Sequence, residues 1–279
     1  MLPDRNRSFT APLGSSSHSS KAHEVMDEFQ LLIDLHKNHQ RQGPGGDEET
    51  AKAVDLACID RERPLKIADI GCGTGASTLT LARLLDAEIV AVDFLQEFLD
   101  VLEEGAAREG LSDRITPLCR EMEDLPFDSE AFDIIWSEGA IYNIGFQKGI
   151  VDWRRYLKPG GLLVASEVSW LTESRPSEIQ AHWDSEYPEI DTPSAKIKQL
   201  EASGYSPVGY FALPEHCWTT NYYEPIQSDF EAFLERHGNS EEARAIVEAE
   251  RHEIELYSRY KPYFSYGVYI ARKLAGEDA

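Results

Sequence analysis

Between Leu65 and Trp170 short apolar runs alternate with segments of helical spacing, and this alternation constrains the fold more than any other feature. The runs Leu65–Ile70, Glu88–Asp93, Ile115–Cys119, Phe132–Ser137 and Leu162–Trp170 read as buried strands. Helices are expected between them: Ser77–Leu85, Gln96–Glu109 (stopped by Gly110) and Gln147–Tyr156, which ends before Pro159-Gly160-Gly161. Strands alternating with helices assemble into a parallel sheet with right-handed crossovers. The expected fold class is therefore α/β.

The flanks extend this plan. Thr192-Pro193 opens a helix, with Thr as cap and Pro at the first helical position, and Gly204 closes it. Pro207–Leu213 and Ser265–Lys273 read as strands; paired antiparallel at one edge, they bring the sheet to seven. Between them, at about 224–262, lies a helical insert. Its first helix is expected from Ser228, with Glu231 completing a capping box, and its second from near Asn239 towards Tyr260. Upstream, Val25, Phe29, Leu32, Ile33 and His36 predict an amphipathic helix between Lys21 and Gln40, broken by Gly43-Pro44-Gly45-Gly46 and followed by a helix at Glu48–Ile59. The domain plan is a disordered leader at 1–20, a helical lid at 21–63 and the main α/β domain at 64–279.

Composition narrows the function classes. Lys and Arg number 27 against 50 Asp and Glu, a formal charge of −23, which opposes contact with phosphate backbones and argues against nucleic acid as a partner. No apolar run approaches the roughly 20 residues of a membrane span, and the N-terminus lacks the apolar centre of a secretory signal, so a cytoplasmic location is expected. The four cysteines, Cys58, Cys72, Cys119 and Cys217, form no CxxC pair; their spacing predicts neither a disulfide framework nor a metal site.

The informative segment is Ile67-Ala68-Asp69-Ile70-Gly71-Cys72-Gly73-Thr74-Gly75-Ala76, a strand running into a glycine-rich turn that opens a helix. Glycines there permit positive φ and close backbone approach, and the helix start offers free N–H groups. Gly71-x-Gly73-x-x-Ala76 satisfies the dinucleotide pattern, so NAD or FAD stays open at this point. Asp69 adds a carboxylate able to accept from an ammonium group, which dinucleotides lack. Asp93 closes the next strand about 20 residues on, where a carboxylate can hold both ribose hydroxyls in either cofactor class. Leu125-Pro126-Phe127, Phe132-Asp133-Ile134-Ile135 and Leu157-Lys158-Pro159-Gly160-Gly161 complete the series.

In this order the motifs resemble the class I S-adenosylmethionine-dependent methyltransferases, in the small-molecule branch typified by ubiquinone and menaquinone biosynthesis enzymes. The resemblance covers about Leu65 to Val168. Trp136 to Phe146, with Gln42-Gly43-Pro44-Gly45 upstream, is similar to a narrower group of bacterial and archaeal members. The resemblance implies a seven-stranded, mostly parallel Rossmann-like sheet that binds S-adenosyl-L-methionine and releases S-adenosyl-L-homocysteine. It implies that Asp69, Gly71, Gly73 and Gly75 line the methionine part, that Asp93 holds the ribose and that Phe94 packs beside the adenine. Glu121, where the family usually has Asp, and Met122 would bind the adenine edge; Ser137 and Glu138 would face the sulfonium and the acceptor. Cys72 reads as a small filler of the turn.

Methyl transfer from a sulfonium leaves a neutral thioether, so positioning does much of the work, and a base is needed only where the acceptor must lose a proton. Glu138 and Tyr142 are the expected catalytic residues, with His216 a further candidate base and Glu167 behind them. The expected partner is a small-molecule acceptor, and a homodimer contact through the charged insert is allowed. The competing readings are an NAD(P)-dependent oxidoreductase and a non-catalytic S-adenosylmethionine-binding module.

Overall fold

Seven strands form one sheet in the order β3-β2-β1-β4-β5-β7-β6 in the computed structural model, which describes residues 28–275. These are β1 (Leu65–Ile70), β2 (Ala87–Asp93), β3 (Ile115–Cys119), β4 (Phe132–Ser137), β5 (Leu157–Trp170), β6 (Tyr205–Ala212) and β7 (Phe264–Lys273). The first five run parallel, and β7 slots antiparallel between β5 and β6, as expected. Period-two alternation sends successive side chains to opposite faces. Ile67, Ile134 and Val164 join the core on one side, and Ala68, Ile135 and Leu163 join the core on the other.

Helices cover both faces. They are α1 (28–36), α2 (Asp47–Leu56), α3 (Ala76–Leu84), α4 (Gln96–Glu109), α5 (Phe146–Trp153), α6 (Ser177–Glu186), α7 (Pro193–Ala202), α8 (Glu215–Trp218), α9 (Glu224–Arg236) and α10 (Glu241–Tyr260). In α4, Phe98, Leu99, Leu102 and Ala106 form the buried stripe, and the helix stops where Gly110 turns left-handed at φ 69°. Burying Leu102 alone stabilises by about 1.5–3 kcal/mol. Thr192 caps α7 by accepting from the Ala195 N–H.

Three expectations are corrected. The insert's first helix starts at Glu224, not Ser228, because a π-helical turn over Thr219–Tyr223 feeds it without a break. The Ser228 hydroxyl donates back to the Pro225 carbonyl, so Ser228 and Glu231 form no capping box. The cap of α10 is Ser240, which accepts from the Ala243 N–H, while Asn239 takes φ 53° just ahead of it. Finally, β5 begins at Leu157 and carries Pro159–Gly161 as an irregularity inside the strand. The leader at 1–20 and the start of the first expected helix lie outside the described residues.

A roof sits over the carboxyl ends of β1 to β4. It consists of α1, the strap 37–46, α2 and the insert from α8 to α10. Asp34 in α1 accepts from Arg236 (2.8 Å), His36 and Glu250 lie 3.2 Å apart, and Asn221 Nδ2 donates to the Gly45 carbonyl (2.8 Å). Among the described residues no helix is long and apolar enough to cross a membrane.

Beneath β5, Lys196 Nζ donates to Glu167 Oε1 (2.8 Å), and both side chains are fully buried. The Tyr187 hydroxyl donates to the same oxygen (2.7 Å), and the Lys196 ammonium stands 4.7 Å above the Phe146 ring. Removing one partner of such a pair strands the other charge. Lys196→Met is expected to cost about 3–5 kcal/mol in urea unfolding, and adding Glu167→Leu should restore most of that loss. A double variant no more stable than the single one would contradict this account.

Candidate cofactor and acceptor site

A cleft with about 1310 Å³ of open space, solvent at its mouth included, lies at the carboxyl ends of β1, β2, β3 and β4. It falls where the strand order reverses between β1 and β4, the crevice in which open α/β sheets bind their ligands. The wall after β1 is the glycine turn. Gly71 takes φ +78°, and a Cβ on it would stand 2.2 Å from the Ala140 Cβ, so only glycine fits where the loops after β1 and β4 meet.

The turn's backbone donors are already engaged. Gly73 N–H donates to Asp93 Oδ2 (2.9 Å), and Leu95 N–H donates to Asp93 Oδ1 (3.0 Å). Thr74 N–H donates to Gln42 Oε1 (3.0 Å), while Gln42 Nε2 donates to the carbonyls of His36 and His39. Gln42 thus staples the strap to the start of α3. Burial raises the Asp93 carboxyl above the usual range, against the pull of its backbone N–H donors.

Glu138 collects three donors: Arg41 Nη1 to Oε2 (3.0 Å), and Thr50 Oγ1 (2.7 Å) and Trp136 Nε1 (2.9 Å) to Oε1. Arg41 also pairs with Asp47 (3.0 Å), and its side chain is only 7% exposed. Phe29, Phe94, Met122, Tyr142 and Ile144 give the cleft its apolar and aromatic surface, and Phe29 stacks on Phe94 with centroids 6.1 Å apart. Glu121, exposed at the end of β3, completes the acidic side.

The structure brings most of the expected site residues onto this wall: Gly71, Gly73, Asp93, Phe94, Glu121, Met122, Glu138 and Tyr142. Three stand behind it. Asp69 is wholly buried, and its Oδ2 accepts from Ser77 (2.9 Å) and Thr78 (2.6 Å), so it reaches the cleft only through Ser77. Gly75 caps α3 against Leu102, which a Cβ would strike at 2.2 Å; it packs helix on helix. Ser137 spends its hydroxyl on the Ile70 carbonyl (2.8 Å), tying β4 to β1. Glu167 lies in the buried pair with Lys196, where burial raises its carboxyl despite the ammonium's pull. His216 points away from the cleft towards Glu49 (3.3 Å). The Cys72 thiol is pushed well up by burial and stays neutral, in line with a filler of the turn. Arg41 and Gln42 were not foreseen as site residues; the polar pair ahead of Gly43-Pro44-Gly45 is the only local signal for them.

Burial lifts the Asp69 carboxyl to about 7, against the donors Thr78 and Ser77, with Glu138 and Asp93 adding repulsion. Its folded value lies above the unfolded one, so the stabilisation is complete below about pH 4 and is lost as pH rises to about 7. Compared with Asp69→Asn, the ligand-free protein should lose up to about 4 kcal/mol over that window. Urea midpoints at about pH 4 and about pH 8 read this out; midpoints that stay parallel would mean Asp69 ionises freely.

Comparison with known proteins fits this geometry. Residues 67–161 match the family described as a methyltransferase domain. A demethylmenaquinone methyltransferase of Clavibacter sepedonicus is 36% identical over 105 residues, 37% of this chain and 41% of its own length. The uncharacterized methyltransferase YodH of Bacillus subtilis is 31% identical over 141 residues, 50% of this chain and 58% of its own. The chain therefore spans about half the length of these curated relatives. A solved S-adenosylmethionine-dependent methyltransferase from Geobacter sulfurreducens, in complex with S-adenosyl-L-homocysteine, superposes with a TM-score of 0.77 at 18% identity. That match covers 87% of this chain and 97% of the other.

Proposed function

We propose that this chain, which carries a class I methyltransferase domain, binds S-adenosyl-L-methionine in the cleft after β1 to β4 and transfers its methyl group to a small-molecule acceptor. What carries this reading is the state of the glycine turn. A dinucleotide needs the N–H groups of such a turn for its pyrophosphate. Here Gly73 N–H serves Asp93 and Thr74 N–H serves Gln42, so the anion site is closed by the protein's own acceptors. Beside it stand Asp93, Glu121, Glu123 and Glu138 against Arg41 and Arg120, an excess of carboxylates that suits a cationic nucleoside better than a pyrophosphate.

The residues fit the group. Asp93 has lone pairs left beyond its two N–H contacts and would accept from the ribose hydroxyls. Glu121 would take the adenine amine, and Phe94 and Met122 would cover the ring faces. When bound, S-adenosylmethionine supplies a sulfonium-activated methyl whose leaving thioether is neutral, so no acid is required. The chain's own contribution is orientation and exclusion of water, with the strap and α1 acting as the lid. Glu138 spends its carboxylate on three donors, Arg41, Thr50 and Trp136, so its work is to fix the strap beside the cleft. Tyr142 on the wall would orient the acceptor through a hydrogen bond from its hydroxyl. The acceptor is a small molecule and not a nucleic acid, given the charge of −23, and the setting is cytoplasmic.

Titration calorimetry tests the cofactor. S-adenosylhomocysteine should bind and NAD should not, and Asp93→Ala should weaken binding about 10- to 100-fold. Tight NAD binding without S-adenosylhomocysteine binding would overturn the reading. Methyl transfer itself is read by radiolabel moving from the cofactor into small-molecule fractions; cofactor binding with no transfer to any acceptor would leave a binding module. For an acceptor that the Tyr142 hydroxyl orients, Tyr142→Phe should lower kcat about 10-fold with cofactor affinity unchanged.

A further inference from the structure

On the far side of the strap, α2 presents Glu49 to the short helix α8, which carries His216 and Cys217 side by side. None of the three lines the cleft. Glu49 Oε1 stands 3.3 Å from His216 Nε2, Cys217 Sγ stands 3.8 Å from that same nitrogen, and the three ligand atoms all lie within 4.8 Å of one another. A tetrahedral zinc ion with bonds of about 2.3 Å to sulfur and about 2.0–2.2 Å to nitrogen and oxygen sets its ligands about 3.6 Å (S···N) and about 3.4 Å (N···O) apart. The observed separations match those edges closely.

A second observation points the same way. Glu49 is only 9% exposed, and among the described residues its buried Oε2 has no hydrogen-bond partner, an arrangement that costs free energy until a cation or donor satisfies it. Cys217 is fully buried, whereas the His216 side chain is 49% exposed and leaves an entry path.

We propose that Glu49, His216 and Cys217 form a binding site for one divalent transition metal of the zinc class, with a fourth position open to water. Thiolate, imidazole and carboxylate together suit zinc or cobalt(II) better than the hard cations magnesium and calcium. Binding replaces the S–H bond of Cys217 by an S–metal bond and releases one proton to solvent. The thiolate and the carboxylate then balance the metal's two charges. Such an ion clamps α2 to α8. Because Thr50 follows Glu49 and bonds Glu138, and because Gly45 N–H bonds the Cys217 carbonyl (3.4 Å), the clamp also holds the strap over the glycine turn. The cysteine spacing in the chain gives no hint of this, since the ligands come from two helices more than 160 residues apart. The site is independent of any methyl transfer.

Cobalt(II) titration of the chelator-treated full chain tests it. One equivalent should bind per chain, with thiolate-to-cobalt charge-transfer absorption and a raised thermal midpoint, and zinc should bleach the spectrum. Cys217→Ser should abolish the charge-transfer band. His216→Ala should weaken cobalt binding beyond the roughly 10- to 100-fold that loss of an outer partner costs. Failure to take up cobalt would reduce the trio to a hydrogen-bonded cluster and overturn the proposal. A band that survives in Cys217→Ser would overturn it too, by assigning the metal to another cysteine. Should Cys217→Ser fail to fold, His216→Ala at its half-exposed position decides alone: unchanged cobalt affinity there is fatal.

Discussion

The carboxylate of Glu138 is where the sheet and its roof are joined. It sits just past β4, takes one donor from Trp136 on the same strand, and takes the other two from Thr50 and Arg41 in the roof. A guanidinium as buried as Arg41 stays charged, so each side of this contact depends on the other: losing either strands a charge in a poorly solvated place. The position of the strap, and through Gln42 the closure of the glycine turn, follows from it. The cleft is thus shaped as much by a segment more than 90 residues upstream as by the strand ends that form its floor.

The electrostatics of the cleft follow from the same geometry. Burial raises the carboxyls of Asp69 and Asp93, and neighbouring carboxylates add to it, Glu138 and Asp93 acting on Asp69 and Glu121 acting on Asp93. A wall that holds several carboxylates against one buried guanidinium is under strain when empty of positive charge. A cationic ligand relieves that strain, and any ligand that binds only the folded chain stabilises it by mass action.

Much of the fold was legible because its signals are local. The limits of β1, β3, β4 and α4 coincide with those read from the chain, since apolar runs of strand length end at a glycine, a charge or a left-handed turn. The insert was less legible: Ser228 and Glu231 mimic a helix start, yet the preceding π-turn delivers the chain already helical. Helix α8 went unseen because it has only four residues, and α6 because Ile179 and Trp183 are its only buried positions, too few to show a period. Within the site, the strand ends were recognisable but the direction of each side chain was not. Asp69 and Ser137 point into the protein, where Ser77, Thr78 and the Ile70 carbonyl engage them, while Glu138, one residue past Ser137, turns into the cleft. Arg41 and Gln42 acquire their roles from contacts 97 and 32 residues away, which no periodicity encodes.

The antiparallel seam at the sheet edge has an evolutionary consequence. The segment from Leu213 to Phe264 departs from β6 and re-enters at β7, and these strands are adjacent, with Leu213 N–H bonded to the Tyr266 carbonyl at 2.8 Å. Its two ends are therefore pinned side by side whatever lies between them. Helices there can be lengthened, shortened or exchanged without disturbing the register of β1 to β5. This architecture makes the insert an interchangeable cassette, so that one fixed sheet can change its roof by loop grafting alone.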